Sequence, residues 1–425
     1  ILDENLEVLD YESIAQPTLV GITAFTCQAP RAYQVAAAFR KRGTPVVMGG
    51  IHASMRPEEA LRYVDSVVVG EAETVWTQVL DDVLKGNLQE LYRGSLAERV
   101  NCPPARHDLV NGRYPVATVQ TTRGCPLNCH FCSVTAFNGR RYRRRPIRDV
   151  IHELQLVPER LLFFADDNLI GTRKDHIEYA KDLFRSMIAH GIKKRWAAQV
   201  TINVADDAEL LNLAKKSGCI GVYIGFESPN PESLKEVNKT FNLRFGIEYY
   251  EQAVRRLHEA GIGVTGAFIM GIDHDKPGAA NMIVDCARRC QIDAVTVLTL
   301  TPLPGTVLYE KMDSDRRIIL TTYPDDWKCY NLIVPTCRFK HFSWSQLKLE
   351  REILYESLYR KRSRLWMGFL RTLLATKDLR VSMAYLISNL SYRRSWHIYD
   401  AMRARFVQRE EANPAALQTK GLDEE

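Results

Sequence analysis

The segment Gly124-Cys125-Pro126-Leu127-Asn128-Cys129-His130-Phe131-Cys132 decides how the rest of the chain is interpreted. Three of the ten cysteines fall within these eight positions from Cys125 to Cys132. Thiolates held this close together are typical ligands of iron–sulfur clusters, and a four-iron cluster on three cysteines keeps one iron open for a small chelating molecule. A zinc site is the alternative, but it normally needs a fourth Cys or His, and His130 is too close in sequence to two of the cysteines to serve. The spacing therefore predicts a 4Fe-4S cluster on Cys125, Cys129 and Cys132.

The flanks of this loop predict a strand before it and a helix after it. Residues 116–124 form a β-branched run that ends at a glycine turn, and an amphipathic run begins at Ile147. The order of strand, C-x₃-C-x₂-C loop and helix resembles the radical S-adenosylmethionine (SAM) superfamily. In that family the open iron binds the amino and carboxylate groups of SAM, and the reduced cluster cleaves SAM to methionine and a 5′-deoxyadenosyl radical. The resemblance implies three things: a 4Fe-4S cluster, SAM, and a cellular one-electron reductant as partner.

Five further strand patterns, each accompanied by a helical pattern, follow the cysteine loop. They lie at residues 160–165, 195–200, 221–228, 263–273 and 294–301. Six βα units between Val116 and Gly305 predict a partial (β/α)6 barrel that is open on one side. Polar residues at the carboxyl ends of such strands lie on the catalytic rim of an α/β barrel.

The first candidate cofactor contacts follow the second barrel strand, at Asp166, Asp167 and Asn168. In the radical SAM superfamily this position recognises the amino group of SAM, and a carboxylate suits an ammonium group by charge-assisted hydrogen bonding. One of the three residues could instead cap the following helix. We expect Asp166 or Asp167 to face the cofactor.

Two later strands supply the other candidates. The segment ending in Glu227 and Ser228 resembles the superfamily's Gly-Phe-Glu-Ser segment, which meets the ribose or carboxylate of SAM. Glu227 could instead cap the loop, but a carboxylate that ends a buried strand needs a partner, which favours the functional interpretation. The glycines of the fifth strand, Gly266 among them, permit a close approach of the backbone to an adenine edge.

The first 98 residues alternate between strand and helix patterns, which predicts a parallel sheet with helices on both faces. Ligands of such sheets lie beyond the carboxyl ends of the strands, so Gly49, Gly50, His52, Gly70 and Glu71 are candidate lining residues. These turns resemble the N-terminal cobalamin-binding domain of many radical SAM enzymes, although the Asp-x-His-x-x-Gly signature is absent. His52 is either a cobalt-side contact or a capping residue. The alternative for the whole region is a Rossmann-like domain that binds nothing.

Composition sets the broad class of the protein. Hydrophobic residues make up 46% and charged residues 25% of the chain, as in an ordinary globular protein, and the net charge of +6 is spread along it. No nucleic-acid partner is therefore expected. Scattered cysteines suit a reducing cytosol, and neither a signal peptide nor a membrane-spanning run is visible.

The apolar helical patterns at 365–375 and 381–391 are predicted to pack against the barrel or a partner, with a membrane-peripheral location as the alternative.

The predicted organisation has five parts. They are a cobalamin-binding-like Rossmann domain (1–98), a linker (99–115), the radical SAM barrel (116–310), a helical C-terminal region (311–410) and a disordered tail (411–425). The chain begins without Met, inside what looks like a strand at 1–9, so we expect the natural N-terminus to be missing and the first domain to be truncated.

This domain order resembles the cobalamin-dependent radical SAM proteins, including the hopanoid methylases and the anaerobic ring cyclase of bacteriochlorophyll synthesis. We predict C-methylation of an unactivated carbon in a lipid or secondary metabolite. The enzymatic alternatives are a radical cyclisation or oxidation without methyl transfer, and tRNA modification, which is weakened because no RNA-binding appendage is apparent. The non-enzymatic alternative is a zinc-holding binding protein.

Overall fold

The first structural unit is a four-stranded parallel sheet with helices packed on it. The structure, a computed structural model, describes residues 1–8, 10–97 and 102–412. The elements are β1 (Val20–Thr23), α1 (Ala29–Lys41), β2 (Val46–Gly49), α2 (Gly50–Met55), α3 (Pro57–Ala60), β3 (Ser66–Val69), α4 (Trp76–Leu84) and β4 (Leu91–Arg93). In the sheet the strands are in the order β1-β2-β3-β4.

The central strands of this sheet are buried, as expected where both faces of a parallel sheet are covered. Two features differ from the sequence expectation. Residues 91–93 form a fourth strand that pairs with β3, and a strand of three residues is too short to show a period in the sequence. Residues 1–8 form a turn and no strand, and Leu9 lies outside the described residues.

The second unit is a six-stranded parallel sheet in the order β12-β11-β10-β9-β8-β5, with β5 and β12 at its two edges. A two-residue antiparallel ribbon of β6 and β7 flanks the cysteine loop. The elements are β5 (Ala117–Val119), β6 (Thr122–Arg123), α5 (Ser133–Asn138), β7 (Arg143–Arg144), α6 (Ile147–Leu156), β8 (Leu161–Phe164), α7 (Lys174–Ala189), β9 (Arg195–Val200), α8 (Ala208–Lys216), β10 (Cys219–Glu227), α9 (Pro231–Glu236), α10 (Thr240–Leu243), α11 (Gly246–Glu259), β11 (Gly263–Met270), α12 (Ala279–Arg289), β12 (Ala294–Thr299) and α13 (Val307–Ser314).

Three helices complete the described chain: α14 (Trp344–Leu358), α15 (Arg362–Thr376) and α16 (Leu379–Ala412). α14 begins at a capping box formed by Ser343 and Gln346. α16 places Tyr385 across the amino ends of β10 and β11. A Cβ atom on Gly221 would lie 2.5 Å from the Tyr385 hydroxyl, and one on Gly263 would lie 2.1 Å from its ring. Glycine at these two positions therefore lets the C-terminal region cover the barrel at the amino ends of its strands.

The predicted fold class is confirmed: an N-terminal Rossmann-like α/β domain, a partial (β/α)6 barrel and a helical C-terminal region follow one another. The first two residues of the predicted tail at 411–425 belong to the end of α16, which extends to Ala412. The rest of the predicted tail lies outside the described residues.

Among the described residues, no helix is both long enough and apolar enough to cross a bilayer.

Candidate functional site

A cavity of about 400 Å³ opens at the carboxyl ends of the barrel strands. All three cysteines of the loop line it. Polar side chains from four strands or their following loops surround the same space: Asp167, Asn168, Gln199, Thr201, Tyr223, Glu227, Thr299 and Thr301. The barrel therefore gathers the thiols and the polar ends of its strands around one space.

The cysteine loop is fixed to the barrel by its first residue. Gly124 has a φ of +87°, and a Cβ atom there would lie 2.2 Å from the carbonyl oxygen of Arg141. Its N–H donates to the Asp167 carboxylate at 2.8 Å. A left-handed residue with no room for a side chain must be glycine, so the sequence Gly124-Cys125 is required by the turn.

The three thiols suit the predicted cluster. None is in a disulfide, so all three are available as ligands. Burial raises the pKa of Cys129 to about 11 and that of Cys132 to about 12, so iron would have to displace their protons on binding. Nδ1 of His130 lies 3.1 Å from the carbonyl oxygen of Glu236, so this imidazole is engaged away from the thiols. Across the described residues, no three His, Cys, Asp or Glu side chains surround a single-ion site. Three soft donors at one cavity wall are the donor set of a cluster with an open iron.

Glu227 and Lys239 form an ion pair beside the thiols. The Lys239 Nζ lies 2.7 Å from Glu227 Oε1, and the two side chains are only 9% and 10% exposed. Burial alone would lower the pKa of Lys239, but the Glu227 carboxylate and the nearby cysteines raise it above its usual value. Glu227 has a φ of +64°, an unusual conformation for this residue, and Asn242 donates to the neighbouring carbonyl of Gly225 at 2.9 Å. The partner that Glu227 needs is thus Lys239.

The three polar residues after β8 separate into distinct roles. Asp166 is fully buried and accepts hydrogen bonds from the N–H groups of Thr121, at 2.7 Å, and Thr122. It therefore braces the break between β5 and β6 and does not line the cavity, contrary to the expectation that it could face the cofactor. Burial raises its pKa to about 7. Asp167 lines the cavity, and burial raises its pKa as well.

Asn168 lines the cavity and is tied to the next strand, because its Nδ2 lies 3.2 Å from the Thr201 hydroxyl. Ser228 is buried and accepts a hydrogen bond from the N–H of Asn230, so it shapes the turn after β10 and lies in a neighbouring groove. Gly266 faces the helical layer: a Cβ atom there would meet Ile292 at 2.9 Å and Phe226 at 3.2 Å. The cavity wall on β11 is formed instead by the alternate residues Ala267 and Ile269.

The candidate residues of the first domain lie at the carboxyl edge of its sheet. Gly50 and Gly70 have φ values of +86° and +82°, and Gly94 at the end of β4 packs against the backbone of Glu71. The missing side chains make room for the chain itself, because a Cβ atom on Gly50 would lie 2.5 Å from the Thr23 hydroxyl and one on Gly70 would lie 2.7 Å from the Gly94 carbonyl oxygen. Together with Gly49 these residues form the glycine edge of the sheet. It lies at the carboxyl ends of parallel strands, which is where such sheets bind ligands and where the predicted cobalamin would lie.

His52 does not fit the role of a cobalt contact. Its side chain is fully buried, and Nε2 lies 3.0 Å from the hydroxyl of Tyr33 and 3.4 Å from Glu59. Trp327, which follows the barrel, donates from Nε1 to the same Glu59 carboxylate at 2.9 Å. His52 therefore belongs to a contact that joins the two domains.

Glu71 also joins the domains. Arg143 of β7 reaches its carboxylate at 2.6 Å, and these side chains are 1% and 5% exposed. Arg123 of β6 lies 3.4 Å from Glu71 and 2.5 Å from Glu73. α2 contacts α5, the helix that begins directly after Cys132. The glycine edge of the first sheet is thus held next to the cysteine loop.

Sequence reasoning missed Lys239 and Tyr223. Lys239 sits in a short connection between α9 and α10, where a lone lysine carries no signal in the sequence. Tyr223 lies within the alternation of β10, and only the register of the strand shows that it faces the cavity.

Comparisons with known proteins agree with this arrangement. The radical SAM superfamily model matches residues 119–287, and the B12 binding domain model matches residues 5–80. The bacteriochlorophyllide d C-12(1)-methyltransferase of Chlorobaculum tepidum is 30% identical over 363 residues, which cover 82% of this chain and 75% of that protein. The hopanoid C-2 methylase of Rhodopseudomonas palustris is 25% identical, with coverage of 75% and 62%.

The fold is also found in solved structures. The radical S-adenosylmethionine methyltransferase TsrM of Kitasatospora setae superposes with a TM-score of 0.65 at 16% identity, covering 90% of this chain and 89% of that one. At this identity the likeness concerns the fold alone.

Proposed function

Because this chain belongs to the radical SAM superfamily and carries a B12-binding domain, we propose that it methylates an unactivated carbon of an apolar small molecule or lipid. The matches confirm the predicted enzyme class and the predicted cofactors, a 4Fe-4S cluster, SAM and cobalamin. Methyl transfer is supported by relatives whose names describe methyltransferases and methylases.

One observation carries the proposal. The three thiols and the Glu227–Lys239 pair share a cavity, and the glycine edge of the B12-binding domain is held next to the loop that supplies the thiols. A methyl carrier at that edge and a radical generator at the cysteines can thereby serve one substrate.

Each protein group has a distinct task. Cys125, Cys129 and Cys132 would hold the cluster. The buried Lys239 ammonium suits the carboxylate at the amino acid end of SAM, and the Glu227 carboxylate suits its ammonium group. An oppositely charged pair is matched to a zwitterion, so the two residues can bind SAM without leaving a net buried charge.

The remaining lining controls access of water. Asp167, Asn168 and Thr201 offer hydrogen bonds on one side of the cavity. The lining also includes a set of apolar side chains: Phe131, Ile269, Leu298, Leu303 and Leu332. When bound, the cluster and SAM supply a carbon-centred radical, and the corrinoid supplies a methyl group. These apolar side chains suit both an apolar substrate and the protection of a reactive radical from solvent.

The test is anaerobic reconstitution with iron, sulfide, hydroxocobalamin, SAM and a one-electron reductant that also reduces the corrinoid, so that SAM is the only methyl source, with a bacteriochlorophyllide and a hopanoid as probe substrates. A methyl group taken from SAM leaves S-adenosylhomocysteine, and radical generation leaves 5′-deoxyadenosine. Methyl transfer predicts that both products form with the methylated probe, and that Cys125→Ser forms no 5′-deoxyadenosine. Absence of both nucleosides in a protein loaded with cluster and corrinoid would refute the proposal.

A second candidate is radical cyclisation or oxidation without methyl transfer. It is favoured by the anaerobic magnesium-protoporphyrin IX monomethyl ester cyclase of Cereibacter sphaeroides, which is 26% identical, with coverage of 81% of this chain and 61% of that protein. The same assay separates the two reactions. Cyclisation predicts 5′-deoxyadenosine without S-adenosylhomocysteine.

A further inference from the structure

The helices α15 and α16 form a hairpin with an apolar outer surface. Nine large apolar side chains on these helices are each at least 40% exposed: Trp366, Met367, Leu370, Leu374, Leu379, Met383, Ile387, Leu390 and Ile398. Folded soluble proteins rarely expose contiguous apolar patches larger than a few hundred Å². Scattered exposed leucines need no explanation, but nine on one hairpin do.

The exposed residues of α15 share one face of the helix. The buried side of α15 is formed by Leu365, Thr372 and Thr376. Trp366, Leu370 and Leu374 follow one another at intervals of four residues and so lie on another face. This outer face is not needed for packing inside the protein.

α16 repeats the pattern. Val381 and Tyr385 pack under the barrel sheet, together with Ala294. Leu379, Met383 and Ile387 are spaced by four residues, and their face is exposed with side-chain fractions of 58%, 41% and 60%. The hairpin therefore has one face directed to the protein and another apolar face directed outward.

The same hairpin is strongly basic. Residues 361–397 contain eight Lys or Arg and one Asp, whereas the whole chain has a net charge of only +6. The single acid, Asp378, is paired with Lys215 of the barrel at 2.7 Å and accepts the N–H of Arg380. Exposed cations lie at both ends of α15 and on α16, along the same hairpin as the apolar residues: Lys361, Arg362, Lys377, Arg380 and Arg394.

We propose that the α15–α16 hairpin docks on an anionic lipid surface. Apolar residues with a tryptophan, bordered by cations, are the composition of helices that lie in a membrane interface. Basic residues near an anionic bilayer are each attracted to it. A second copy of the chain fits less well, because a symmetric contact would bring two basic faces together.

The test uses the full-length protein and two kinds of vesicle, phosphatidylcholine alone and phosphatidylcholine with 30% phosphatidylglycerol. We expect cosedimentation with the anionic vesicles, weakened by salt. The double variant Leu374→Glu/Ile387→Glu should lower the partition coefficient at least ten-fold. Neutralising Arg380 and Arg394 with Gln should lower it roughly five-fold for each residue.

The matched control is Leu84→Glu on α4, because Leu84 is 77% exposed and Leu374 is 78% exposed. This variant should bind the vesicles like the unaltered protein. Trp366 gives a second readout, since its side chain is exposed and those of the other five tryptophans are buried or half-buried. Its quenching by acrylamide should fall on binding, and this change should disappear in Trp366→Phe.

Two results would overturn the proposal. One is that the protein does not bind anionic vesicles, or that the hairpin variants bind them as well as Leu84→Glu does. The other is a stable dimer in solution that Leu374→Glu/Ile387→Glu dissociates, which would assign the apolar face to a second copy. Neither result bears on the radical reaction, because vesicle binding is measured without SAM or substrate.

Discussion

Replacing Lys239 with Met tests the reasoning about the cavity directly, because this lysine is assigned both a structural partner and a ligand. Met keeps much of the length of the side chain and removes the charge. The Glu227 carboxylate, only 10% exposed in its pair with Lys239, would then be left without its cation.

The size of the effect follows from the burial of the pair. Removing one partner of a buried ion pair costs about 3–5 kcal/mol of stability, because the other charge remains uncompensated. A hydrogen bond to a charged group contributes about 1.5–3 kcal/mol, so losing the contact to the SAM carboxylate should weaken SAM binding about 10- to 150-fold. The two effects have different origins and can be separated.

The separation uses the double variant Lys239→Met/Glu227→Gln. It has no unpaired buried charge, so its thermal midpoint should recover most of the loss seen in Lys239→Met. SAM affinity, measured by equilibrium dialysis on anaerobically reconstituted protein, should remain low. Lys235→Met is the matched control, since Lys235 is an exposed lysine four residues away and should affect neither quantity.

The reasoning would be refuted by SAM binding within two-fold of the unaltered protein in Lys239→Met with a full complement of iron. A double variant that regains SAM affinity together with stability would also refute it, because the lysine would then act only through folding.

Three further predictions follow from other contacts. Cys125→Ser should lose most of the iron and sulfide that are measured after reconstitution. Cys102→Ser is the control, because Cys102 lies outside the loop, and it should keep its iron and sulfide. Equal loss in both variants would contradict the assignment of Cys125 as a cluster ligand. Arg143→Met should cost about 1.5–3 kcal/mol, because Glu71 loses its nearer cation and keeps only Arg123 at 3.4 Å. The loss should appear as a lower thermal midpoint and faster cleavage between the domains by protease, and unchanged cleavage would exclude Arg143 as a domain contact. Burial raises the pKa of Asp166 to about 7 from an unfolded value near 4, so the folded state holds the proton more tightly and stability should fall as the pH rises between these values. The thermal midpoint of Asp166→Asn should fall less than that of the unaltered protein from pH 5 to pH 8; equal slopes would show that Asp166 titrates normally.

The cysteine loop and the strand periodicity were sufficient to predict the fold class. A C-x₃-C-x₂-C spacing is a local property, and so is the alternation of buried strands with amphipathic helices. Both can be recognised from the sequence alone, because ligand spacing and hydrophobic periodicity extend over only a few residues. The short strand β4 was missed because three residues are too few to show a period.

The site residues depend on contacts that are distant along the chain. Asp166 and Asp167 are adjacent in sequence, yet one braces Thr121 and Thr122 and the other lines the cavity, since successive residues near a strand end face different ways. His52 and Glu71 look equally available in sequence. In the structure they are occupied by Tyr33 and Glu59 in one case and by Arg143 in the other.

The spacing of three cysteines was enough to predict the 4Fe-4S cluster, because ligand spacing is a local property of the sequence. SAM, cobalamin and the order of the domains were predicted from the resemblance of short motifs to a known family. The folded structure was needed to show which polar groups face the cavity and that Lys239 is the partner of Glu227, twelve residues away. It was also needed to show that the apolar helices of the C-terminal region each keep one face exposed. These outcomes depend on where strands end, in which register they pair and which helix face is covered. They are properties of packing between elements, and a local pattern does not specify them.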